Sequence, residues 1–214
     1  MSKIVILGAA GQIARQLTAA LLDKTSHELV LFGRQLRRRL TLQEDERITI
    51  VEGTFEDEAA LSRAIEGADV VYLNAMEDAH HTQTVVHTMA KSGVNRLIGA
   101  TMAGIENEVP DPLLSWTEAH LPAAYVQGEQ ASADLVKASE LNYTLLRLTW
   151  LYDKAGDTDY ELVPSGEPFR DAEVSREAVV AAILEILADE TGRFHRSSLG
   201  VGRPDTHYAK PSFY

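Results

Sequence analysis

The run IVILGAAGQIARQL, residues 4–17, carries four apolar residues into two glycines three apart, Gly8 and Gly11, and then into an apparent helix. In a βαβ unit the first turn must bend sharply, let backbone approach a ligand, and pack its helix close to the strand. Small residues are therefore needed at three places, and Gly8, Gly11 and Ala14 supply them as G-x-x-G-x-x-A. Backbone N–H groups at the helix start, together with the helix dipole, favour an anion there, and a pyrophosphate is the natural occupant. Gly8, Ala10, Gly11, Gln12 and Ile13 are the candidate contacts. A tight turn without a ligand uses the same residues, so position decides: the loop follows the first strand and opens the first helix.

The remaining chain fits that beginning. Apolar runs at Ile4–Leu7, Leu29–Phe32, Ile48–Val51, Val70–Leu73, Arg96–Ile98 and Tyr143–Leu146 are each short enough to be buried strands. Between them lie segments of helical period: Ile13, Leu17 and Leu21; Leu61 and Ile65; Val85 and Met89; Ala131 and Leu135. Continuous apolar strands alternating with amphipathic helices describe a parallel sheet covered on both faces. The expected fold is α/β, a Rossmann-like doubly wound sheet in a single domain over residues 1–214, with about 148–214 contributing a small substrate-side cap. In that last part the Gly-, Pro- and Asp-rich stretch after Arg147 precedes a helix holding Val179, Val180, Ile183, Leu184 and Leu187.

Composition excludes several chemistries. The absence of cysteine removes disulfides, thiolate nucleophiles and cysteine-bearing zinc sites. A net charge of -12 with acids spread throughout argues against a nucleic-acid surface. No apolar run is long enough for a membrane span, and the N-terminus enters a strand pattern at once, so the expectation is a soluble, cytoplasmic protein.

The second strand bears on the cofactor. NAD sites place an acid about 20 residues past the loop to hold the ribose hydroxyl, whereas a 2′-phosphate calls for arginine. Here LVLFGRQLRRRL puts Arg34 just past the strand end, Arg37, Arg38 and Arg39 close behind, and no acid between Phe32 and Leu42. A guanidinium fork matches phosphate oxygens, so NADP(H) is expected over NAD(H), with Arg34 the principal contact and Arg38 a second. At least one or two of the following arginines belong to a solvated turn.

The pieces ILGAAGQIA, LFGR, VEGTFEDEAALSRAIEGADVVYLNA, NRLIGATMAGI, LNYTLLRLTWL and EVSREAVVAAILEIL, in this order, resemble an atypical short-chain dehydrogenase/reductase. The resemblance is to the NAD(P)H-binding group of NmrA-like and biliverdin-reductase-B-like proteins, over nearly the whole chain. It implies a cofactor along the carboxyl ends of the strands, with Asn74 and Ala75 beside the nicotinamide ribose and a substrate pocket under the C-terminal segment. One departure bears on mechanism. Full members of that superfamily place a Tyr and a Lys four apart, so that the cation lowers the phenol pKa. Tyr125 stands at the right distance before ASADLV, but the lysine position is Glu129, and a carboxylate there raises the phenol pKa. Thr101 stands where the family commonly carries paired serines. It either helps polarise a carbonyl or bonds backbone as a strand-end hydroxyl.

Other polar clusters point to less. His80 and His87 share a helix face but lack the closer pair and third ligand a metal wants, so no metal site is expected. Glu44, Asp45 and Glu46 make an acidic turn facing water. Trp116 and Trp150 either line a substrate pocket or fill core, and the aromatic tail HYAKPSFY is either packed or a homodimer contact. Two functions remain open: a reductase passing hydride to a small carbonyl, quinone or flavin-like acceptor, or a non-enzymatic NADP(H) sensor that presents a changed surface to a protein partner.

Overall fold

A computed structural model describes residues 1–41 and 45–214. The glycine loop lies between β1 (Lys3–Leu7) and α1 (Gln12–Lys24), followed by β2 (Glu28–Gly33), the single turn α2 (Leu36–Arg39) and β3 (Ile48–Glu52). Next come α3 (Glu58–Ile65), β4 (Val70–Leu73), α4 (Ala79–Lys91), β5 (Arg96–Met102), α5 (Leu113–His120) and α6 (Ala123–Ala138). The chain closes with β6 (Asn142–Leu148), β7 (Trp150–Tyr152), β8 (Glu161–Pro164), β9 (Glu173–Ser175), α7 (Arg176–Ala188) and β10 (Ser197–Gly202).

Eight strands form one sheet in the order β3-β2-β1-β4-β5-β6-β10-β8, parallel throughout except for β8, which runs antiparallel to β10 at the edge. The strand order reverses direction between β1 and β4, which creates the crevice where doubly wound folds bind ligands. Strand interiors such as IVIL of β1 are buried on both faces because helices cover both. One layer joins α1 and α7 through Leu17, Leu21, Val179 and Ile183, and the other joins α3, α4 and α6 through Leu61, Val85 and Val136. No helix among the described residues is long and apolar enough to cross a membrane.

The C-terminal third has two jobs. The small parallel pair β7–β9 and the tail form the cap, while α7, β10 and β8 extend the main core and sheet. Helix α6 is also turned relative to the expected face. Ala131 is exposed and Leu135 only half-buried, whereas Glu129, Ser132, Ala133 and Val136 face inward. Small and polar residues are buried because α6 lies close against α4, where the Thr82 hydroxyl donates to Ser132 Oγ at 3.0 Å. Of the expected acidic turn, Glu44 lies outside the described residues. Asp45 does more than face water: it pairs with Arg47 at 2.8 Å, and the Arg47 guanidinium donates to the carbonyls of Leu22 and Thr25 at the C-terminal end of α1.

A buried cation organises the loop after β5. Arg147 on β6 is fully buried, 2.7 Å from a carboxylate oxygen of Glu108 and 3.4 Å from one of Glu106. Glu108 in turn accepts from the backbone N–H groups of Gly104 and Glu106, which fixes the turn between them. Burial works against ionising Glu106, but hydrogen bonds from Lys137, Ser165 and Ser198 and the charge of Arg147 hold its pKa down to about 2. Removing one partner of a buried pair strands the other charge. Arg147→Met should therefore destabilise the protein by about 3–5 kcal/mol in urea unfolding at neutral pH, whereas an ordinary loss of well under ~1 kcal/mol would mean that Glu108 finds water instead.

Candidate functional site

The glycine loop adopts the conformation its sequence calls for. Gly8 has φ +81°, in the left-handed region that side-chain-bearing residues avoid, and the Gly8 and Ala9 N–H groups both donate to the carbonyl of Phe32 on β2. Gly11 is the N-cap of α1, and no side chain caps the helix there. Its N–H groups are left for a ligand, as an anion site requires. A Cβ at Gly11 would lie 2.2 Å from Asn74 Nδ2, so this glycine is required first by the approach of the loop after β4. Asn74 is anchored there by its backbone N–H to the Leu7 carbonyl and by the Tyr72 hydroxyl, which donates to its Oδ1 at 3.2 Å.

Two cavities meet at Asn74, Ala75 and Glu77. The first is a cleft lined by Gly8, Ala10, Gly11, Gly33, Arg34, Arg39 and the segment Gly53–Glu56. Arg34 is exposed at its mouth, and Arg39 joins it where Arg38 was expected; Arg38 is not among the lining residues. Phe55 and His81 also face this cleft, 5.3 Å apart between ring centroids. His81 bonds Glu56 at 2.9 Å, and this bond, with help from Thr54, holds the Glu56 pKa near 2.

The second cavity, of about 480 Å³, lies over the carboxyl ends of β5 and β6. Gln12, Ile13, Thr101, Tyr125 and Glu129 line it beside Asn74 and Ala75, so the expected loop and the expected chemistry share one space. Its outer wall is aromatic. Trp150 packs edge-on against Trp116 with centroids 4.7 Å apart, Tyr214 from the tail lies 5.3 Å from Trp150, and His120 stacks on Trp116 at 4.0 Å. Both tryptophans are half-buried; Trp150 lines the pocket and Trp116 packs behind it.

Thr101 does not bond backbone as one expectation had it: its hydroxyl donates to Glu129 Oε2 at 2.7 Å. Glu129 is 3% exposed, and burial pushes its pKa up to about 7 against the pull of hydrogen bonds from Thr101 and Tyr125. Burial, then the Glu129 charge and hydrogen bond, raise the Tyr125 pKa well above its ordinary value. The phenol is thus detuned as an acid, as the departure at position 129 predicts. Glycine again sets the geometry, since a Cβ at Gly128 would lie 2.0 Å from the Glu77 carbonyl oxygen. Only glycine lets α6 come that close to the loop carrying Asn74.

His80 and His87 are both exposed on α4. The potential metal-ligand set that does form among the described residues, Glu161, Asp171 and His207, lines neither cavity. Sequence reasoning missed Gly53–Glu56, Glu77, His81 and Arg176 as lining residues. Their signal was only position, just past the ends of β3 and β4 or in the first turns of α4 and α7.

The model of a family described as NAD(P)H-binding matches residues 8–190. A short-chain dehydrogenase/reductase from Veillonella parvula DSM 2008, solved in complex with NADP, is 50% identical, with 99% of each chain covered and a TM-score of 0.97. A Rossmann-fold NAD(P)-binding family protein from Shigella flexneri is 33% identical over all of both chains, with a TM-score of 0.78. ChuY, an anaerobillin reductase from Escherichia coli O157:H7, shares the fold at 20% identity and a TM-score of 0.72, covering 99% of this chain and all of that one. None of the curated proteins matches the sequence. The chain belongs to the NAD(P)H-binding family of short-chain dehydrogenase/reductase-like Rossmann proteins.

The residues present fit that cofactor: a glycine cradle, an uncapped helix start and two arginines at the mouth where a 2′-phosphate would lie. Calorimetric titration should show NADP(H) binding more tightly than NAD(H), and Arg34→Ala should narrow the gap by about ten- to a hundredfold. Equal affinity for the two cofactors in the parent protein would contradict the role given to Arg34.

Proposed function

We propose that this protein is an NADP(H)-dependent reductase that passes hydride to a small, uncharged, flat acceptor of the carbonyl, quinone or flavin type. The observation that carries the reading is the joining of the two cavities at Asn74, Ala75 and Glu77. A dinucleotide laid along the cleft from Arg34 past Gly11 reaches the apolar pocket at that junction. The NADP complex of the Veillonella parvula relative supports the choice of cofactor.

When bound, NADPH supplies the hydride; the chain's residues hold and screen the reaction. Arg34 and Arg39 would take the 2′-phosphate, the N–H groups at the start of α1 the pyrophosphate, and Asn74 and Ala75 the nicotinamide-side ribose. The pocket favours an apolar body, with Met102, Val109, Leu113 and Leu148 on its walls and Trp150 and Tyr214 at its rim. Charge sets a second preference. Glu77 and Glu129 face the cavity, and the one cation lining it among the described residues, Arg176, is already paired with Asp153 at 3.1 Å. An anionic acceptor would find no free partner there, while a neutral planar one can lie against the aromatic rim. Placement and exclusion of water then supply much of the catalysis.

The test is NADPH oxidation measured against benzil, menadione, simple aliphatic ketones and riboflavin. The expected outcome is turnover with the neutral aromatic and quinonoid acceptors and little with small aliphatic ketones. Tight NADPH binding with no turnover of any acceptor would contradict the reductase reading and favour the cofactor-sensor alternative.

A further inference from the structure

Three groups meet on the pocket wall in an arrangement that the family pattern does not provide. Thr101 reaches out from the end of β5, Tyr125 and Glu129 from successive turns of α6, and both hydroxyls bond to the Glu129 carboxyl. We propose that the Glu129 carboxylic acid, and not the Tyr125 phenol, is the proton donor of this site, acting on a neutral aromatic carbonyl acceptor. The assignment rests on the reductase reading above.

Position supports it first. Glu129 lines the same cavity as Asn74 and Ala75, so an acceptor lying beside the cofactor's reactive end lies beside this carboxyl too. The backbone of α6 is held there by the contact of Gly128 with the Glu77 carbonyl. Thr101, donating at 2.7 Å to Oε2, fixes the carboxyl on the pocket wall.

Electrostatics then distinguish the two candidate acids. The groups acting on Glu129 are Thr101 from β5, Tyr125 from its own helix and Glu77 from the loop after β4; no cation is among them. Burial and the Glu77 charge favour the neutral carboxyl, and its pKa of about 7 matches the operating pH of a general acid. Tyr125 moves the other way, because burial and the same two carboxylates make its phenolate harder to form. Replacing lysine by glutamate thus transfers the acid function from the phenol to position 129.

The carbonyl carbon takes hydride, with its electron pair, from NADPH, and the carbonyl π pair passes to oxygen. That oxygen takes the Glu129 proton as the carboxyl O–H bond breaks. The products are an alcohol, NADP⁺ and a Glu129 carboxylate, which water reprotonates. Thr101 is placed to steady the carboxylate so formed.

Glu129→Gln keeps the shape and the Thr101 contact but removes the acid. With benzil as acceptor under single-turnover conditions, the parent rate should fall as pH rises through about 7. Glu129→Gln should lose about 10²–10⁴ in rate with NADPH affinity retained, while Tyr125→Phe stays within about tenfold. A readout independent of turnover accompanies this. A carboxyl that keeps its proton in the folded state but not in the unfolded one contributes stability at low pH, and that contribution is lost as pH rises from the unfolded to the folded pKa. The melting temperature of the parent relative to Glu129→Gln should therefore drop between about pH 4.5 and about 7 and level off above. Infrared spectra should show a neutral carboxyl signal that titrates over that upper range and is missing in the variant. A Glu129→Gln protein within tenfold of the parent rate, or a Tyr125→Phe protein that collapses a thousandfold, would overturn the assignment. So would a parent that oxidises NADPH with menadione or riboflavin but not with benzil, although the reductase reading would survive. A parent inert toward every acceptor would remove both.

Discussion

The approach of two loops across the crevice between β1 and β4 is the constraint on which the rest of the site depends. Gly11 sits where any Cβ would lie 2.2 Å from the Asn74 amide nitrogen, and Gly8 holds a backbone conformation that other residues resist. Those two facts let the glycine loop, the start of α1 and the loop after β4 share one narrow space. The sheet order places that space where the chain turns from building leftward, through β2 and β3, to building rightward, through β5 and β6. Both cavities, and the junction between them, follow from this single point of close approach.

Around it, the pocket is shaped by two further contacts of different kinds. One is steric: Gly128 brings α6 against the Glu77 carbonyl, which sets Tyr125 and Glu129 at the wall. The other is ionic, the buried Arg147 gripping Glu106 and Glu108 and so folding the turn after β5 whose residues Ala103, Gly104 and Val109 line the floor. A buried ion pair adds little net stability over an apolar replacement, but it tolerates few alternative arrangements. In this chain its consequence is a defined floor beneath the acceptor. The aromatic rim comes last in the chain, with Tyr214 folding back over Trp150, so the pocket is complete only when the tail has docked.

Much of this was legible in the sequence for identifiable reasons. Strands β1, β2, β4, β5 and β6 announced themselves because strands covered on both faces are largely apolar, and Gly8, Gly11 and Ala14 were readable because backbone geometry leaves no other residues to choose. Strand β10, SSLGVG, was not read: it carries two glycines, packed against Phe169 and Asp171, which only the tertiary structure explains. The phase of α6 misled because its buried face is small and polar, with Ser132 and Ala133 against α4, while Leu135 is only partly covered. Arg39 and Arg38 could not be told apart by composition, since the direction of each side chain depends on the single turn α2. The loss of the lysine at position 129 was visible in the sequence. That the carboxyl there is buried and bonded by Thr101 required the fold.

The account stands or falls on where the dinucleotide lies. Backbone amide spectra of isotopically labelled protein, recorded as NADP⁺ is added, test this residue by residue. The predicted result is a contiguous set of shifted amides running through Gly8–Ile13, Arg34, Arg39, Asn74–Ala75 and Thr101, following the joined cavities. Shifts centred elsewhere, for instance on the groove of Glu106, Pro110 and Glu167 at the far side of the Arg147 network, with the glycine loop unmoved, would contradict it.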